Sequence, residues 1–108
     1  MENQVVLDGC LLKRATLRHT PAGIAAVDFT VMHDSMQVEA GRQRRVQCEV
    51  AAVAIGETAK TIGALKPHQP VRLTGFLAQR SKDDGRLTMH VTGVTAIAGR
   101  ITNKDRSN

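Results

Sequence analysis

"GETAKTIGALKP", Gly56 to Pro67, is where the rhythm of this chain changes. Ala59, Ile62 and Leu65 recur there at helical spacing, and Pro67 ends the pattern. Gly63 lies inside it and weakens a helix by about 1 kcal/mol relative to alanine. The stretch therefore reads as a helix of a turn or two, or as an irregular link. On both sides of it the chain alternates with a period of two, the mark of strands with one buried face.

Three such runs precede the link. Val5, Leu7, Gly9 and Leu11 share a face opposite Val6, Asp8, Cys10 and Leu12. Val27, Phe29 and Val31 then alternate with Asp28, Thr30 and Met32, and Val46, Cys48, Val50, Ala52 and Ala54 fall on one side of a third run. Two runs follow the link. "PVRLTGFLAQ" sets Val71, Leu73, Gly75 and Leu77 against Arg72, Thr74 and Phe76, and "LTMHVTGVTAI" sets Leu87, Met89 and Val91 against Thr88, His90 and Thr92. Thr20-Pro21-Ala22-Gly23 has the composition of a hairpin turn, as does Asp83-Asp84-Gly85. Five strands with one short link between the third and fourth predict an all-β chain folded as a five-stranded Greek-key barrel, the OB-fold. Mid-strand Gly9, Gly75 and Gly93 suit the sharp bending of a small barrel. The pattern alone leaves a small β-sandwich or an SH3-like barrel open.

The 108 residues, 42% hydrophobic, suffice for one core and not for two. We expect a single domain over residues 1–101 and a frayed polar tail over 102–108. The N-terminus lacks the basic and apolar regions of a signal peptide, and nowhere do about 18 apolar residues run together. Cys10 and Cys48 have no metal-like spacing, so free thiols in a reducing, cytoplasmic setting are expected, with Cys48 as a small buried hydrophobe. No phosphate loop, nucleophile elbow or zinc-binding His-Glu-x-x-His occurs, and His19, His33, His68 and His90 are scattered. The expectation is a protein with no catalytic residue, metal, cofactor or small-molecule substrate.

A formal charge of +5 favours a polyanionic partner. The densest positive stretch is "EAGRQRRVQCE", Glu39 to Glu49, with Arg42, Arg44 and Arg45. Guanidinium groups in a mobile loop can follow a single-stranded backbone and stack on bases; the alternative is a solvated loop whose arginines pair with Glu39 and Glu49. Arg80, Lys82 and Arg86 flank the second hairpin, where OB-folds place a ligand-contacting loop, although Asp83 and Asp84 interrupt it. Arg18 precedes the first hairpin, and Lys13 and Arg14 are weaker candidates. The chain has no Trp and no Tyr. Phe76 faces away from Val71 and Leu73, either as an exposed ring that can stack or as a dimer contact.

"NQVVLDG" at 3–9, "TPAG" at 20–23 and "VDFTVMHDS" at 27–35 resemble the bacterial single-stranded DNA-binding protein superfamily. Within it, "SMQVEAGRQRRVQCEV" at 35–50 and "TGF" at 74–76 resemble the primosomal replication protein N family, and the likeness extends from Met1 to Ile101. The resemblance implies an OB-fold homodimer that binds single-stranded DNA in the replication-restart primosome. There it would contact the PriA helicase, stimulate its unwinding and precede DnaT. It also implies a basic residue at Arg18, an aromatic residue where Arg42 stands and a tryptophan where Gln47 stands. Loss of two such platforms, each worth about 1–3 kcal/mol per stacked base, predicts weak, strongly salt-dependent binding. A general DNA- or RNA-coating OB protein, or a protein-interaction scaffold with little nucleic-acid binding, stays open as an alternative.

Overall fold

A computed structural model describes residues 1–14 and 16–97. The expected tail, 102–108, and the last residues of the expected domain, 98–101, lie outside them. The elements are β1 (Val5–Arg14), β2 (Arg18–His19), β3 (Ala25–Glu39), β4 (Arg42–Ile55), α1 (Glu57–Gly63), β5 (Val71–Gln79) and β6 (Leu87–Ala96). Apart from the two-residue β2, these are the five expected strands, with the short helix after the third long one.

The strands run in the order β1-β5-β6-β4-β3-β2, and a β1–β3 pairing closes the sheet on itself. All pairings are antiparallel except β4 with β6. β1 serves two neighbours: Val5–Gly9 pair with β5, and Cys10–Arg14 pair with β3 across a register shift between Leu11 and Lys13. At that changeover the chains come so close that a Cβ on Gly9 would strike the Met32 carbonyl. This is the bending that the mid-strand glycines foretold.

The inward positions meet in one core. Val27, Phe29 and Val31 of β3 pack with Ala52 and Ala54 of β4, Val71 and Leu73 of β5, and Met89 and Val91 of β6. α1 closes one end by inserting Ala59 and Ile62, both fully buried. Arg14 secures that plug, because its Nη1 donates to the carbonyls of Ile62 and Leu65 at 3.2 and 3.0 Å, where the helix dipole favours a cation. Truncating a buried isoleucine costs about 2–5 kcal/mol, so the short helix belongs to the core despite its length.

β3 and β4 run on together past the core. Fourteen pairs join them, from Ala26↔Ile55 to Glu39↔Arg42, and the turn is the two residues Ala40-Gly41, with φ of 53° and 76°. The outer pairs form an exposed arm. Arg42, Arg44 and Arg45 therefore stand on a regular strand, where the sequence had suggested a loop. Cys48 needs correction too: it lies on the arm and is exposed, because the core ends at Val50. Positive φ at both turn positions is the geometry for which Asn-Gly is favoured, and alanine in the left-handed region costs about 1 kcal/mol. Ala40→Asn is accordingly expected to stabilise the protein by about 1 kcal/mol, read as a rise in the urea midpoint at unchanged slope.

Candidate nucleic-acid interface

Alternation along the arm divides the cluster that the sequence presents as one patch. In the β3–β4 register Arg42 and Arg44 share a face with Val46 and Cys48, while Arg45 and Gln47 lie on the other face with Asp34 and Met36. Arg45 Nη2 meets Asp34 Oδ2 at 2.7 Å, and Gln47 Nε2 reaches the same oxygen at 3.4 Å. The Arg45 hydrogen bond holds the Asp34 carboxyl below its ordinary value. Arg44 pairs with Glu39 at 2.8 Å. Of the two acidic partners that the solvated-loop alternative named, Glu39 is engaged and, among the described residues, Glu49 is not; Asp34, across the strand pair, takes its place.

A second group assembles where the sequence showed separate residues. Lys13, Arg14, Arg18 and Arg80 line an open groove of about 800 Å³ whose floor includes Asp28 and Thr30 of β3, Ala51, Val53 and Ile55 of β4, and Thr88 and His90 of β6. This is the outer face of the central strands, flanked by the β1–β3 connection and the β5–β6 loop. Arg18 Nε is held by Asp28 Oδ2 at 3.1 Å, and Arg14 by the helix carbonyls. The side chains of Lys13, Arg42, Arg80 and Lys82 enter no hydrogen bond or ion pair among the described residues, although the charge of Arg80 helps to lower the Asp84 carboxyl.

The β5–β6 loop is shaped by Asp84. Its carboxylate accepts from the Arg86 backbone N–H at 3.0 Å and from the Arg86 guanidinium at 2.7 Å, while its own N–H donates to the Ser81 hydroxyl at 3.1 Å. One of the two acidic residues that interrupt the basic loop in sequence is thus neutralised by a loop arginine. Those bonds hold the Asp84 carboxyl at about 2, down from 3.8. A depressed carboxylate stabilises the fold above the unfolded value and loses that contribution as pH falls through the folded value. The gap in thermal midpoint between the native chain and Asp84→Asn should therefore be full above pH ~4 and shrink towards pH ~2. A gap unchanged over that range would contradict the assignment.

Phe76 of β5 and His90 of β6 are cross-strand partners. Their rings stack with centroids 4.9 Å apart and planes 8° from parallel, and Phe76 is 39% exposed. Phe76 stands out in the sequence and His90 does not, because only register shows which residue on the next strand stands beside the ring. His33 is occupied structurally: its Nδ1 lies 2.6 Å from the Asp8 carbonyl, which can only accept, and its Nε2 lies 2.7 Å from the Ser35 hydroxyl. Among the described residues no group of His, Cys, Asp or Glu could hold a metal ion, and no helix is long and apolar enough to cross a membrane.

Residues 3–93 match the family model described as "Another single-strand binding protein family". The chain is 40% identical over 95 residues to the replication restart protein PriB of Nitrosomonas europaea, covering 88% of each chain. It belongs to the PriB family. The PriB of Bordetella pertussis is 35% identical over 97 residues, covering 90% of this chain and 91% of that one. A solved PriB from Ralstonia solanacearum superposes with a TM-score of 0.80 at 27% identity, over 89% of this chain and 98% of its own. The single-stranded DNA-binding protein of Thermus aquaticus gives 0.71 at 25% identity, over 92% of this chain and 52% of its own. The OB-fold and the resemblance to primosomal replication protein N are thereby established, and the chain carries the single-strand-binding fold of a replication restart protein.

Proposed function

We propose that this chain is a non-enzymatic, cytoplasmic, single-domain accessory protein of replication restart that binds single-stranded DNA as a homodimer. It would bridge the strand and the PriA helicase, stimulate unwinding, and act before DnaT. Likeness to PriB relatives over nearly the whole of both chains is the observation that carries this reading. The geometry supports a strand path along the basic groove, with Lys13, Arg14, Arg18 and Arg80 at its sides, towards Lys82 and Arg86 of the β5–β6 loop. Arg42, Arg44, Arg45 and Gln47 on the arm would supply a second contact. Bridging accelerates unwinding by raising the local concentration of helicase and strand near each other.

Affinity for DNA is modest in this reading, for two reasons. Arg42 and Gln47 stand where the family resemblance implies base-stacking rings. Four of the candidate arginines, Arg18, Arg44, Arg45 and Arg86, already face carboxylates, so a phosphate must compete for them. The test is unwinding of a synthetic fork by the cognate PriA, with and without this protein. Stimulation at protein concentrations that leave most free oligonucleotide unbound is the expected result. Absence of stimulation, together with tight coating of the strand, would instead make the protein a general single-strand binder.

A further inference from the structure

The groove does not end at His90. Adjoining it is a depression of about 200 Å³ lined by Val53, Ile55, Phe76 and His90 and by Thr58 of α1, with Val53 and Ile55 common to both spaces. His90 lines both spaces. An apolar floor beside parallel rings, at the end of a groove lined by Arg80 and Arg18, has the chemistry of a nucleobase site. One flat apolar face needs stacking, and the attached phosphate needs a cation within reach. Ile55 is itself about half exposed, so the floor is available to a ligand.

We propose that the Phe76–His90 stack is this chain's base platform: one base of a bound single strand lodges in the depression against the ring pair, while its backbone follows the groove past Arg80. The proposal rests on the single-strand reading above and adds to it a site on β5 and β6, away from the arm positions where the family resemblance implies rings. Its consequence is that binding depends on bases as well as on phosphates.

The experiment compares a short oligothymidylate with a fully abasic strand of equal length and charge. Native protein should prefer the thymidylate by about tenfold, the order expected for one stacked base. Phe76→Leu combined with His90→Leu should bring thymidylate affinity down to that of the abasic strand. Should the double variant fail to fold, native protein still decides: the carbon-bound ring protons of His90 should shift upfield with thymidylate and not with the abasic strand. A retained preference in a folded double variant, or His90 protons indifferent to both strands, overturns the platform while leaving strand binding intact. Failure of native protein to bind either strand overturns the single-strand reading itself.

Discussion

Gly75→Ala is expected to destabilise the barrel by about 3 kcal/mol or more, a large part of the 5–15 kcal/mol that holds a typical domain. The cause is local. β5 and β6 change register there: Thr74 pairs with Gly93, Gly75 with Val91, and Thr92 is left over. The bulge brings β6 so near that a Cβ on Gly75 would strike the His90 carbonyl oxygen, and the His90 carbonyl carbon and Val91 Cα would lie at 2.8 and 3.0 Å. These are backbone atoms of a paired strand, so no rotamer change relieves the clash. Either the β5–β6 ladder opens, or Val91 and Met89 leave the core. Gly63→Ala provides the contrast, because a Cβ there meets nothing within 4 Å and lies in the last turn of α1. Urea titration should show a large fall in midpoint for the first variant, and no loss for the second. Equal effects would mean that helix propensity, not strand approach, governs both sites.

The same physical distinction separates what was legible in the chain from what was not. Alternation at Val27, Phe29 and Val31 reports a buried face directly, because the strand period and the core face coincide. Ile62 reports the helical plug for the equivalent reason, and the closed OB-fold barrel follows from both. The arm is different. Beyond the Ser35–Val46 pair both faces are exposed, so alternation carries no signal, and Ala40-Gly41 lacks the Asn or Asp that would have marked a two-residue turn. The sequence of 42–45 therefore looks like a loop although it is a paired strand, and Cys48 looks buried although it is exposed. Partner choice was equally hidden. Glu49 is on the same face of β4 as Arg45 but two positions beyond Gln47, whereas Asp34 lies diagonally across the ladder, where side chains meet. Lys13 and Arg14 look incidental in sequence. They join Arg18 and Arg80 through the bend in β1, a feature of closure with no residue pattern of its own.

Replacing Lys13, Arg42, Arg80 and Lys82 together with alanine is expected to remove most of the salt dependence of single-strand binding. Each cation that neutralises a phosphate on a single strand contributes about −0.7 to the slope of log affinity against log salt. Four such cations give a slope near −3, so native affinity should fall about fifty-fold between roughly 50 and 200 mM salt. Arg18, Arg44, Arg45 and Arg86 contribute less, because transferring any of them from Asp28, Glu39, Asp34 or Asp84 to a phosphate exchanges one ion pair for another and leaves a carboxylate facing the DNA. Exposed pairs of this kind are worth only about 0–1 kcal/mol each, so stability is a poor guide to them and the salt slope is the sensitive readout. Deleting a pair whole, as Arg45→Ala with Asp34→Ala, removes equal and opposite charges and should leave the slope within about half a unit of native. If that pair deletion flattens the slope as much as removal of a free lysine does, the paired arginines are already committed to phosphate in the complex. The division into free and engaged cations would then describe the unbound protein only, and weak binding would have to be traced to the missing arm aromatics alone.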